Sequence, residues 1–152
     1  MEIPTTNLAF VTDPRLAAVL QDYYRQAQMA WDAGCYLGTI VACGSVVEGL
    51  LTWTLSRRSE DAMRSSKACL DRQGQIRPLP EWSLSNLIDV AFELRMIGRT
   101  AKQASWALKD FRNFIHPYNV LGQSARPDQA LAMSAMAALA EICRSLQGHI
   151  EG

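Results

Sequence analysis

Arg112 and His116 are the residues of this chain whose types and spacing could do chemistry. They lie in the string Leu108-Lys109-Asp110-Phe111-Arg112-Asn113-Phe114-Ile115-His116-Pro117-Tyr118. On an α-helix, residues four apart share one face and stand one turn from each other. A permanently charged guanidinium beside the side chain that titrates near neutrality suits phosphate chemistry. The same spacing also fits a plainer role. Arg112 can pair with a carboxylate from another helix, Glu48 being the candidate, and His116 can satisfy a carbonyl where its helix ends.

These residues need helices to position them, and the periodicity predicts an all-α bundle of four to five helices with no convincing strand. A first helix follows Thr12-Asp13-Pro14, a capping residue and then Pro at the first helical position. Leu16, Leu20, Tyr23, Ala27 and Trp31 keep helical spacing along it. A second helix is expected from about Cys35 to Arg58. Gly34, Gly38, Ala42, Ser45 and Gly49 form a stripe of small residues on it, which lets another backbone approach closely. Its large residues Ile40, Val41, Val47, Leu50 and Leu51 bury elsewhere around the same helix. Ser59 to Trp82 reads as a helix tail and a loop ending in Arg77-Pro78-Leu79-Pro80. A third helix, capped by Ser83 or Ser85, turns Leu84, Leu87, Ile88, Ala91 and Leu94 inward and ends at Gly98.

The fourth predicted helix, about Ala104 to Ile115, carries the Arg–His pair and buries Leu108, Phe111 and Ile115. Arg112 and His116 fall at the edge of that arc, where partial desolvation strengthens a grip on phosphate. Phe114 and Trp106 project from the other side and suggest a second packing surface, such as a dimer interface. Pro117 stops the helix behind His116. A fifth, Ala-rich helix starts at Pro127 or Asp128 and turns Leu131, Ala135, Ala138, Leu139, Ile142 and Leu146 to one side. With no internal repeat or low-complexity stretch, residues 1–152 are expected to form a single domain.

Composition narrows the classes of partner. Fifteen basic residues balance fifteen acidic ones, so the chain is no polycation that coats nucleic acid. From Arg57 to Arg112, however, eleven Lys or Arg stand against seven Asp or Glu, so any anion-facing surface is expected there. Cys35, Cys43, Cys69 and Cys143 show no metal-ligand spacing, and with two His in the chain they argue against structural zinc. Cys35, Cys43 and Cys143 read as small buried hydrophobes. Met1 to Phe10 has neither a basic start nor an apolar run, which together with reduced thiols predicts a cytoplasmic location. Cys35 to Leu55, with Glu48 its one charge, has the length of a membrane span. A carboxylate past the middle and amphipathic neighbours favour a central helix packed on all sides instead.

The string LKDFRNFIHPY resembles the signature helix of the HEPN superfamily (higher eukaryote and prokaryote nucleotide-binding domains). Arg112, Asn113 and His116 take the places of its Arg, its polar neighbour and its His. Ile40 to Leu51 is similar to the family's apolar helix, in which small residues precede a Glu and a Leu-Leu pair. The order of elements also fits. The resemblance implies a small helical bundle, a homodimer, and metal-independent ribonuclease activity of the kind found in toxin–antitoxin and other defence systems. The sequence departs from the usual pattern in spacing: three residues separate Arg112 from His116, where four to six are usual. His116-Pro117-Tyr118 resembles the His-x-Tyr of the toxin branch whose Tyr is modified by an antitoxin enzyme, which implies that role for Tyr118.

In a ribonuclease of this kind His116 serves as general acid or base, Arg112 stabilises the phosphorane charge, and Asn113 orients the phosphate or the imidazole. Glu48 holds Arg112, while Lys109 and Arg95 or Arg99 extend the anion-binding surface. One His per chain cannot easily make both proton transfers, so a symmetric dimer is expected. No metal or organic cofactor is implied. Two alternatives remain open: a non-catalytic module that binds a nucleotide or a protein partner, and a helical subunit of a larger assembly.

Overall fold

Apolar side chains recurring at helical spacing, punctuated by Ser, Asp, Pro and Gly, produce an all-α structure. The computed structural model describes residues 2–109, 111–122 and 126–152, with backbone only at Ala107, Arg112 and Asn119. Helix α1 (Pro14–Asp32) starts where expected, because the Asp13 carboxylate accepts from the backbone N–H groups of Arg15 and Leu16. Helix α2 (Tyr36–Ser56) is the central element and packs against α1. The small-residue stripe serves this contact. A Cβ on Gly38 would lie 3.3 Å from the Ala30 Cβ, and one on Gly49 would lie 2.9 Å from Leu20 Cδ2.

Around α2 gather a short α3 (Ser59–Arg64), a 3₁₀ turn Leu79–Glu81, and α4 (Leu84–Glu93), whose N-terminus is capped by the Ser83 hydroxyl. They are followed by α5 (Arg99–Ala104), α6 (Trp106–Lys109), a 3₁₀ turn Phe111–Ile115 and α7 (Pro117–Val120). The long α8 (Gln129–Glu151), capped by the Asp128 carboxylate, closes the bundle against α2 and α5. By length and composition α2 could cross a membrane, but half of its apolar window lies inside the fold. Its neighbours α1, α4, α8 and the 3₁₀ turn Phe111–Ile115 surround it as a core helix. The buried apolar residues form one cluster.

Several details differ from the sequence expectation. Tyr24 rather than Tyr23 is buried on α1, and its hydroxyl accepts from the Thr6 backbone N–H at 3.1 Å. This ties down an N-terminal segment that periodicity does not reveal, with Leu8, Phe10 and Val11 in the core. Cys35 is exposed at the position that precedes α2, whereas Cys43 and Cys143 are buried as expected. Helix α4 ends well before Gly98, through Arg95 at φ 60°. The Met96 N–H donates to the Ala91 carbonyl at 2.8 Å and the Arg95 N–H to the Phe92 carbonyl at 3.0 Å. That is the hydrogen-bond pattern of a Schellman cap, and it turns the chain so that Met96 and Ile97 enter the core. Gly98 caps the start of α5 instead.

Candidate functional site

The fourth predicted helix, about Ala104 to Ile115, falls across three elements: the end of α5, α6 and the 3₁₀ turn Phe111–Ile115. Helices α5 and α6 are nearly continuous through Ser105, whose hydroxyl donates to the Ala101 carbonyl at 2.7 Å, a back-bond that bends helices. Phe111–Ile115 form a 3₁₀ turn, and His116 occupies a bend before Pro117 starts α7. Proline disfavours the α conformation in the residue before it, so His116 cannot continue a regular helix into Pro117. Pro117 at the first position of α7 loses no helix hydrogen bond.

A turn with three residues per repeat inverts part of the expected facing. Residues three apart eclipse in a 3₁₀ helix, so Phe111 and Phe114 both enter the core, in line with Leu108. Ile115, expected inside, is 52% exposed, and Phe114, expected outside, is buried. The partner surface is Gly44 of α2: a Cβ there would stand 2.5 Å from Phe111 Cγ. Only a glycine leaves room for the ring.

For the proposed pair, the consequence is geometric. Arg112 lies within the 3₁₀ turn and His116 on the bend beyond it, so the α-helical spacing expected to align the pair is absent. The Arg112 side chain lies outside the described residues, as does Asp110 of the same string, and with them the expected Glu48–Arg112 contact. His116 is exposed and Asn113 half-buried. Glu48, half-buried, stands one helical turn beyond Gly44 on α2, beside the ridge that receives Phe111. Tyr118 is 85% exposed and Leu121 69%, so Ile115 is followed by two further exposed apolar side chains.

The basic residues do not all converge here. Arg95 and Arg99 are exposed around the link between α4 and α5. Arg99 precedes Lys109 by ten residues, on the order of 15 Å of helical rise. Lys109 instead joins Lys102, Asp89, Ser85, Ile88, Ser105 and Trp106 around a shallow cleft between α4 and the α5–α6 segment. The Lys109 ammonium lies 4.3 Å from the centre of the Trp106 ring, and Trp106 is 65% exposed. Lys102 escaped the sequence reading. Its signal was present, since positions 102, 106 and 109 follow the four-then-three spacing of one helix face.

A wider groove of about 570 Å³ separates α1 from the middle of α2 and is lined by Leu16, Tyr23, Trp53, Asp13 and Glu48. Among the described residues, no basic side chain lines it. Among the described residues, no group of three His, Cys, Asp or Glu is placed to hold a metal ion.

Fold and site together define an all-α protein with an exposed histidine on the bend that follows a pinned 3₁₀ turn. No protein-family model, no curated protein and no solved structure matches the chain.

Proposed function

We propose that the chain is a HEPN-like, metal-independent endoribonuclease acting as a homodimer, with His116 transferring protons and Arg112 neutralising the phosphorane. The observation that carries this reading is the setting of His116. It is exposed on the bend directly after a turn whose Phe111 and Phe114 are locked in the core. A rigid mount for an accessible imidazole is what proton transfer to a bound polymer requires.

In this mechanism the 2′-hydroxyl oxygen attacks the neighbouring phosphorus while His116 of one copy takes its proton. The bond from phosphorus to the 5′-oxygen breaks, and the second copy's imidazolium protonates that oxygen. The products are a 2′,3′-cyclic phosphate and a 5′-hydroxyl. Arg112 offers two parallel donors to the phosphorane oxygens, and Asn113 orients the phosphate or the imidazole. The exposed apolar run of Ile115, Tyr118 and Leu121 supplies the surface on which two copies would join. A toxin or defence role follows from the family resemblance. The exposure of Tyr118 leaves its hydroxyl open to a modifying antitoxin.

A second reading is favoured by the backbone, which takes His116 out of the helical turn that holds Arg112: a module that binds RNA or a nucleotide without cleaving it. Incubating a mixed RNA pool with purified protein in EDTA separates the two. The expected result is cleavage with cyclic-phosphate ends that falls by about a hundredfold or more in Arg112→Ala and in His116→Ala. Intact RNA with all three folded proteins would remove catalysis and leave the binding module.

A further inference from the structure

We infer that Trp106, Lys102 and Lys109 form a platform for single-stranded RNA, on which a base stacks against the indole while the two ammonium groups take the flanking phosphates. This rests on the proposal that the chain engages RNA and adds a binding subsite to it.

An indole is costly to leave in water, yet Trp106 is 65% exposed at the rim of the cleft between α4 and the α5–α6 segment. The Lys109 ammonium lies over the ring, 4.3 Å from its centre; at an exposed indole such a contact is weak, so Lys109 can swing to a phosphate and free that face for a base. Lys102 stands one turn before Trp106. It lies 4.4 Å from the Phe92 ring centre, and its ammonium is 4.0 Å from an Asp89 carboxylate oxygen. Both ends of that ion pair are more than a third exposed, so the pair is weak and Lys102 can turn to a phosphate at little cost.

The size of the cleft decides how a ligand would lie. At about 30 Å³ it has room for about two waters, far below the volume that encloses a small molecule. A ligand therefore lies across the rim rather than inside it. An aromatic face flanked by two cations, on a surface rather than in a pocket, suits successive bases and phosphates of a flexible strand. A duplex, with its bases already stacked internally, offers the indole nothing comparable. A protein partner would be drawn to Trp106 alone and would have to bury two lysines with it.

The test is fluorescence anisotropy of a labelled twelve-residue oligouridylate, titrated with the His116→Ala protein so that the probe stays whole. Further variants are made in that background. Trp106→Ala is expected to weaken binding by about tenfold or more, while Trp106→Phe retains most of the affinity. Lys102→Gln with Lys109→Gln is expected to lower the slope of log affinity against log salt by about 1.4, the share of two phosphate contacts on a single strand. Thermal melts check that these surface variants stay folded.

Equal affinity and equal salt slope in all variants, with wild-type protein still cleaving RNA, would overturn the platform and leave the ribonuclease standing. No binding by any protein at low salt would overturn the platform together with the RNA reading. Unchanged RNA affinity in Trp106→Ala, with the molar mass dropping to that of a single chain, would assign this face to a second copy instead.

Discussion

The Phe111 ring sits directly over Gly44, so closely that a Cβ at position 44 would fall 2.5 to 2.7 Å from three of its carbons. This contact fastens the Arg–His segment to the central helix. Gly44→Ala is expected to destabilise the fold by about 1–3 kcal/mol, the usual range for overpacking a filled core. Urea denaturation measures it. In a double-mutant cycle, Phe111→Leu should recover part of that loss, since a smaller side chain frees the space. Purely additive losses would mean that the two residues do not compete for it.

The exchange of Phe114 for Ile115 in the core gives a second prediction. Phe114→Ala is expected to cost about 3–5 kcal/mol, as for other buried aromatics. Ile115→Ala, at a position half in water, should stay within about 1 kcal/mol. Thermal melts of the two variants compare the periods directly. The reverse order would restore the regular α-helix.

Arg95 holds a left-handed conformation that costs a residue with a Cβ about 1 kcal/mol. Arg95→Gly is therefore expected to raise stability by roughly that amount, read as a higher urea midpoint. Because Arg95 is exposed and removed from His116 in sequence, RNA cleavage should be unchanged in the same variant. A fall in cleavage would return Arg95 to the anion-binding surface.

Burial pushes the thiols of Cys43 and Cys143 up from 9.0 to about 12, and for Cys143 the neighbouring Cys43 adds to the effect. Both stay protonated near neutrality, so alkylation of the native protein should label the exposed Cys35 and spare these two. The same shift gives stability a pH dependence. Folded pKa values above the unfolded ones mean that the unfolded chain releases its protons first. Stability is then complete below about pH 9 and declines as pH rises from 9 towards 12. Urea midpoints across that window check the sign, and Cys43→Val should flatten the decline.

Much of the fold was legible because its signals are local. Asp13, Ser83 and Asp128 announce the starts of α1, α4 and α8 through side chains that reach only two or three residues along the chain. The small residues of α2 likewise marked a face for close approach of another helix, which the structure assigns to α1. The expected ends were less secure. The apolar residues Met96 and Ile97 drew the chain into a Schellman turn at Arg95, which carries no glycine to advertise it.

At the candidate site, residue identity came from sequence and geometry from packing. The types that could handle phosphate, Arg112, Asn113 and His116, are legible in the string itself, whereas Lys102, which lies before it, was missed although its spacing to Trp106 and Lys109 is that of one helix face. Whether residues 111–115 run as an α-helix or a 3₁₀ turn is not decided within them, because short 3₁₀ turns are common as connectors and at helix ends. Two other features tip the balance: Pro117, which bars His116 from helical geometry, and the notch over Gly44, which admits Phe111. Sequence by itself therefore determined the helical class, the main caps and the reactive residue types. Only the tertiary structure decided which aromatic goes inward and where His116 emerges, because those outcomes depend on a ring meeting a glycine some sixty-seven positions away.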